Sequence, residues 1–450
     1  MNPQAVVVTG MGAVSAFGCG VLPLWQACLD GRSIVEPTPP AWTQYYRATS
    51  KVWSPLPTLD FRQHGFSRAE LLTMNMPSLL GAMAADEAVH DAGLCDLKPD
   101  ANANAISMRD SSRRGVFIGT GLGNAKAPFD NYRAHLLSPL RAQIDAWSQA
   151  DTYDAYLAEL SDALKAHPRV NPLVICQTMP NAVAATLGMR YGFHGPNDTA
   201  CNACASGTVA IGQAFRAIRR GELDLALAGG VEHLSDRAGG VFMGFDRLQT
   251  LARAGAEPGT ENRPFDRDRS GFLFSEGGAA LLVLESARAA AARGARVYAE
   301  VVGFGQSADA HSLVAIAESN NAIRAMLDQA LHDAGISNTE IGYINAHGTS
   351  TELNDAVEAG VIAEYFGAQP KINSTKSILG HTIGASGAFE AVVTVQSLVT
   401  QTVHVSRNLS VPIADLNFCT ATSAHAFEYG LTQSFGFGGH NAGLVIRRNV

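Results

Sequence analysis

Ala88-Val89-His90-Asp91-Ala92-Gly93-Leu94 and Ala330-Leu331-His332-Asp333-Ala334-Gly335-Ile336 close two Ala-rich helical stretches in opposite halves of the chain. Each is followed, after a connection, by a strand-like run ending in Gly-Thr: Gly119-Thr120 and Gly348-Thr349. Ala205-Ser206-Gly207 and Ala385-Ser386-Gly387 each lead into an apolar helical stretch, and Glu276-Gly277-Gly278 and Phe437-Gly438-Gly439 each precede a strand. Ala/Gly-rich helix ends recur by chance, so one pairing says little. A common order in both halves predicts a duplicated chain, with two similar α/β halves over residues 1–268 and 269–450.

Short Val/Ala/Leu-rich runs at 6–9, 115–119, 225–228, 279–284, 298–303, 343–346 and 442–446 alternate with helical patterns at 76–92, 207–219, 321–334, 355–365 and 388–399. This alternation predicts an α/β fold with buried, largely parallel strands. Residues 128–170 fit neither half. They are polar, with Tyr156, Leu157, Leu160 and Leu164 at helical spacing, and read as a surface insertion or as a lid or partner-docking element.

With 450 residues, 46% of them hydrophobic and 16% charged, the chain has material for a large core. A net charge of −8 excludes nucleic acid as the expected partner, because phosphate neutralisation needs a basic face. Seven scattered cysteines, an odd number without disulfide spacing, point to free thiols in a reducing compartment. The apolar run Ala5-Val6-Val7-Val8-Thr9 reads as a buried strand, with no signal peptide and no uninterrupted apolar run long enough to span a bilayer. The expected location is cytoplasmic.

Chemistry concentrates in four segments. Gly195-Pro196-Asn197-Asp198-Thr199-Ala200-Cys201-Asn202-Ala203-Cys204-Ala205-Ser206-Gly207 sets a cysteine before a helix. Unpaired backbone N–H groups and the positive end of the helix dipole there would stabilise a thiolate at Cys204. The bland alternative is a small core cysteine. Cys201 and Cys204 also form a C-x-x-C, which suits a redox dithiol or half a zinc site, but no second such pair exists. His347 lies in Asn345-Ala346-His347-Gly348-Thr349-Ser350-Thr351, and His381 in Ser374-Thr375-Lys376-Ser377-Ile378-Leu379-Gly380-His381. Neutral imidazoles in Gly-rich turns can donate N–H to a thioester carbonyl where enolate charge develops. Lys376 and Glu390 flank them, either as a buried pair orienting the histidines or as solvated charges. Ser434-Phe435-Gly436-Phe437-Gly438-Gly439-His440-Asn441 is a turn whose glycines allow close backbone approach to a ligand.

Taken together, these motifs resemble the β-ketoacyl-acyl-carrier-protein synthases, the elongating condensing enzymes of the thiolase superfamily. The resemblance covers nearly the whole chain, from Thr9-Gly10-Met11-Gly12-Ala13-Val14-Ser15 through Arg263-Pro264-Phe265-Asp266 and Gly271-Phe272 to the terminal Gly-Phe-Gly-Gly turn. A Cys-His-His set is specific to the elongating branch, whereas the initiating branch has Cys-His-Asn. The resemblance implies a thiolase-like five-layered αβαβα fold and a homodimer, or a heterodimer with a related subunit. It implies decarboxylative Claisen condensation of an acyl group on Cys204, not Cys201, with malonyl-acyl carrier protein. The amides of Cys204 and Phe437 would form the oxyanion hole, with Phe437 also acting as a gate. His347 and His381 would hold the malonyl thioester, supported by Lys376 and Glu390. Leu122 matches an acyl-pocket position, and Thr349, Thr351, Phe435 and His440 are further candidate substrate contacts. No metal or dissociable organic cofactor is implied, since substrates ride on phosphopantetheine. Arg62, Arg68, Lys126, Arg216, Arg219 and Arg220 are the basic candidates for docking an acidic carrier on this acidic chain.

The sequence departs from the family pattern at Ser275-Glu276-Gly277, where Gly-Glu-Gly is usual, and at His440, where threonine is usual. The often basic stretch after Arg68 reads Ala69-Glu70-Leu71-Leu72. These departures and the polar insertion favour a specialised fatty-acid, polyketide or aryl-polyene pathway over housekeeping fatty-acid elongation. A non-catalytic chain-length partner subunit of the same fold would usually lack the nucleophile. A thiolase or initiating synthase using coenzyme A thioesters is opposed by His381 and by the cysteine-free terminal turn.

Overall fold

Ten strands carry the architecture in the computed structural model, which describes residues 5–43, 46–94, 111–124, 172–253, 255 and 259–449. They are β1 (Val6–Ser15), β2 (Arg114–Gly119), β3 (Asn197–Ala200), β4 (Leu225–His233), β5 (Gly277–Ser286), β6 (Ala299–Ala308), β7 (Ile341–Asn345), β8 (Lys371–Asn373), β9 (Tyr429–Gly436) and β10 (His440–Arg448). Hydrogen bonding orders them β8-β7-β9-β10-β6-β1-β5-β4-β2-β3, with the short strand Gly18–Cys19 on β1. Each strand of the first half occupies the place of the strand five later in the second. The two halves join where β1 meets β6, antiparallel, with Val6 opposite Val301. The duplication suggested by the repeated motifs is therefore a property of the sheet.

The expectation of largely parallel strands is corrected. Only the outer strands run parallel, β2 with β3 and β4, and β7 with β8 and β9. The middle pairings β4–β5, β5–β1, β6–β10 and β10–β9 are all antiparallel. β1, β4 and β5 are buried at every residue, so both faces need apolar side chains whichever way the chain runs. An unbroken apolar run reports burial on two faces and carries no direction.

Six helices cover and fill the sheet: α1 (Met76–Asp91), α2 (Ala182–Tyr191), α3 (Ser206–Arg219), α4 (Asn321–Ala334), α5 (Glu352–Tyr365) and α6 (Ser386–Thr400). α1 and α2 lie outside the first half, and α4 outside the second with α5 beside it. α3 and α6 pack against strands of both halves, giving helix, sheet, helix, sheet, helix in section. Val209, Ile211, Ala214, Phe215 and Ile218 of α3 are all buried, as the apolar spacing of that segment requires. The central helices touch at their N-terminal ends. A Cβ on Gly207 would lie 2.8 Å from the Ala388 nitrogen, and one on Gly387 2.0 Å from Thr208 Oγ1. Glycine at both positions thus lets the two helix starts, and the turns that precede them, converge.

β5 has its counterpart in β10, so it belongs to the first half, and the halves join between Ser286 and Ala299; the division at residue 268 falls before β5. Among the described residues, Ile383–Thr400 is long and apolar enough to cross a membrane, and 83% of it is buried inside the protein as the central helix α6. The polar segment 128–170 lies outside the described residues.

Candidate active site

Cys204 and His381 reach each other from the two central turns. Ala203–Ala205 and Ile383–Ala385 are single 3₁₀ turns that run directly into α3 and α6. Each opens on a residue held in the left-handed region, Ala203 at φ +48° and Ile383 at φ +50°. That conformation is uncommon for alanine and costly for a β-branched isoleucine, so the surroundings must impose it. When the turns are matched residue for residue, Cys201 corresponds to His381 and Cys204 to Gly384. The two halves thus share a backbone and place the cysteine and the histidine at different positions on it.

Cys204 Sγ lies 3.1 Å from His381 Nε2, and the Phe437 backbone N–H also donates to the sulfur. Both side chains line a cavity of about 220 Å³ whose walls include His347, Phe272, Phe435 and Phe437. The His347 and His381 rings stand 5.6 Å apart and nearly perpendicular. Their tautomers follow from their partners. The Ile383 N–H donates to His381 Nδ1 at 3.2 Å, and a backbone amide can only donate, so the proton of the neutral ring sits on Nε2. Ser386 Oγ is 3.0 Å from the same Nδ1. The Lys376 ammonium donates to His347 Nδ1 at 3.0 Å and to the His347 carbonyl at 2.7 Å, which fixes the second ring the same way. Lys376 is in turn ion-paired with buried Glu390. Both imidazoles therefore present Nε2–H to the cavity.

Burial, reinforced by Lys376, holds both histidines well below the usual imidazole range, so they are neutral at physiological pH. The thiol departs from expectation. Burial pushes Cys204 up to about 12, and the opposing pulls of Lys376 and the Phe437 N–H do not overcome it. Position before a helix does not by itself yield a thiolate in a buried site, and Cys204 rests as a thiol.

Two carboxylates hold the His347 loop, and sequence reasoning passed over both. Glu358 accepts from the His347 and Gly348 N–H groups, each at 2.7 Å, and from Gln433 Nε2 at 2.7 Å. Asp355 accepts from the Thr349 and Ser350 N–H groups and from Phe265 N–H at 2.8 Å. A pair of acids spaced three apart near the start of a helix, just after a histidine loop, was the available signal. Ser386 and Glu232 were missed as well. Burial raises the Glu358 carboxyl to about 7 despite its N–H partners. Its contribution to stability is thus complete below the ordinary value of 4.5 and is lost as pH rises through about 7. Glu358→Gln should flatten the fall in melting temperature between about pH 5 and pH 8, measured by thermal unfolding across that range.

The remaining sequence candidates divide. Thr349, Thr351, Phe435 and Phe437 line the cavity; the two threonine hydroxyls are 2.8 Å apart, and Phe435 packs edge-on to His347. The Leu122 side chain is 44% exposed and lies outside the cavity wall, with its N–H directed at Glu232. His440 sits behind the terminal turn, its Nδ1 3.3 Å from Asn202 Nδ2. Arg62 and Arg68 are exposed, and Arg68 opens the short helix Arg68–Thr73. Arg216, Arg219 and Arg220 stand at the far end of α3, about 20 Å from Cys204 at 1.5 Å per residue. Arg216 lies over the Phe304 ring and Arg219 pairs with Asp333, so two of the three are already engaged. Lys126 lies outside the described residues. Cys201 is exposed and unbridged, and no metal-holding group of three or more His, Cys, Asp or Glu occurs among the described residues.

Known proteins resemble the chain over its whole length. The family described as "Beta-ketoacyl synthase, N-terminal domain" matches residues 4–289, and "Beta-ketoacyl synthase, C-terminal domain" matches residues 298–410. A 3-oxoacyl-[acyl-carrier-protein] synthase 2 of Vibrio cholerae is 34% identical over 100% of both chains. One from Staphylococcus aureus is 32% identical over 99% of this chain and 98% of its own. The crystal structure of a β-ketoacyl synthase from Burkholderia phymatum aligns with TM-score 0.81 at 31% identity, covering 99% of this chain and 100% of that one. A ketosynthase in complex with its type II polyketide acyl-carrier protein aligns at TM-score 0.80 and 26% identity, covering all of both chains. With both domains in order and relatives matched from end to end, the chain belongs to the β-ketoacyl synthase family.

Proposed function

We propose that this protein condenses an acyl group carried on Cys204 with a malonyl unit, both delivered on the phosphopantetheine of an acyl carrier protein. The observation that carries this reading is the pair of neutral imidazoles directing Nε2–H into one cavity beside a buried thiol. In the first half-reaction a bond forms between Sγ and the acyl carbon, and the bond from that carbon to the pantetheine sulfur breaks. The thiol proton leaves with the departing sulfur. The Phe437 N–H, already directed at Sγ, and the Cys204 N–H are suited to hold the tetrahedral oxyanion. In the second, the malonyl carboxylate departs as carbon dioxide and its electron pair flows to the thioester oxygen, which accepts from the two Nε2–H groups. The enolate carbon then attacks the acyl carbon and Sγ leaves.

A chain-length partner of the same fold is disfavoured by the thiol–imidazole distance of 3.1 Å, which an inactive subunit has no need to keep. We read the pathway as a specialised one, on the strength of His440 beside the terminal turn and of Leu72, 65% exposed where a basic docking stretch is usual. A partner subunit of the same fold would seat against β3, the last strand of the sheet among the described residues. Incubation with acyl-carrier proteins bearing different acyl chains, followed by intact-mass analysis, should give one acyl adduct on Cys204. Adding malonyl-carrier protein should then discharge it as the β-ketoacyl product. Absence of any adduct across the panel would sink the reading.

A further inference from the structure

Glu232, near the end of β4, is fully buried and does not line the Cys204 cavity, yet its carboxylate joins two segments beside it. From the segment after β2 it accepts the Thr120 hydroxyl at 3.0 Å, the Gly121 N–H at 2.5 Å and the Leu122 N–H at 3.3 Å. From the turn before α6 it accepts the Gly384 N–H at 3.0 Å. The adjacent amide, Ile383 N–H, is the one that holds His381 Nδ1. The segments are in direct contact. A Cβ on Gly121 would lie 2.6 Å from Ile383 Cγ2, and one on Gly384 2.2 Å from the Gly121 nitrogen. Ile383, held at its left-handed φ, lines the Cys204 cavity, whereas Leu122 on the other side of the contact is open to solvent. The Gly121–Ile383 contact is thus a wall between the nucleophile's chamber and the protein's surface, and a single carboxylate draws its two sides together.

We propose that Glu232 is a positioning residue that closes this wall and so limits the length of the acyl chain accepted at Cys204. The inference rests on the acyl-Cys204 reading above. Burial raises the Glu232 carboxyl to about 7, and in its ionised form it suits the task because both oxygens then only accept and the groups turned toward it are donors. An amide in its place turns an NH₂ toward donors on one side, and the two segments separate.

The test is the rate of Cys204 acylation by pantetheine thioesters from acetyl to palmitoyl, followed by intact mass. Glu232→Gln should raise the ratio of long-chain to acetyl rates about tenfold, the scale of discrimination that a few methylenes supply. Thr120→Val, which removes one donor and leaves the carboxylate paired, should shift the ratio in the same direction by about threefold. Melting temperatures identify folded variants, and Thr120→Val decides alone if Glu232→Gln does not fold. A folded variant with the wild-type ratio, or with all rates lowered equally, overturns the proposal. Failure of the wild-type protein to acylate with any thioester overturns the function reading instead.

Discussion

Cys204→Ala should remove the acyl-enzyme entirely and lower condensation at least about 10³-fold, while decarboxylation of malonyl-pantetheine continues at a rate near that of the wild type. The separation follows from which groups each step needs. Forming the acyl intermediate needs the sulfur. Loss of carbon dioxide needs only donors for the growing enolate oxygen, which on the proposed mechanism are the Nε2–H groups of His347 and His381. Neither histidine depends on the thiol for its orientation: one is fixed by Lys376 and the other by the Ile383 N–H. Intact mass reports the adduct and released carbon dioxide reports decarboxylation. If carbon dioxide release falls in step with condensation, the two imidazoles do not act as an independent enolate site. His381→Ala, by contrast, should depress both readouts.

The course of the chain was legible where apolar periodicity is strong. The segment 321–334 coincides with α4, and 76–92 differs from α1 by one residue. Strand direction was not legible, because a strand covered on both faces has the same composition in either sense. The cysteine and two histidines that meet at one cavity were legible because these residues in Gly-rich turns are chemically conspicuous. Their supports were not. Glu232, Asp355 and Glu358 acquire their roles only when the fold buries them against backbone amides, some from distant segments. The same blindness explains the thiol. A cysteine before a helix suggests thiolate, and the burial that reverses this appears only when the two halves close over it.

Lys376→Met should destabilise the protein above about pH 7, by about 3–5 kcal/mol once Glu390 must stay protonated against the solvent or sit as a buried charge without its partner. Burial already raises the Glu390 carboxyl to about 7, with Lys376 pulling it back down; removing the lysine lifts it further. A carboxyl raised in the folded state supports stability below its unfolded value and withdraws that support as pH rises through the folded value. The variant should thus approach wild-type stability near about pH 5 and fall away steeply above about pH 7, read from chemical denaturation at each pH. Catalysis should suffer separately. Without the ammonium at 3.0 Å, His347 is free to carry its proton on Nδ1 and turn a bare lone pair toward the cavity. Condensation should then fall about 10²–10³-fold, as for loss of one oxyanion donor. Lys376→Met combined with Glu390→Leu tells the two effects apart. Removing both buried charges should restore most of the lost stability, since a well-packed apolar pair can replace a buried ion pair. Activity should stay low, because nothing then fixes the His347 tautomer. Recovery of condensation in the double variant would show that the pair serves folding alone and that His347 takes its orientation from elsewhere.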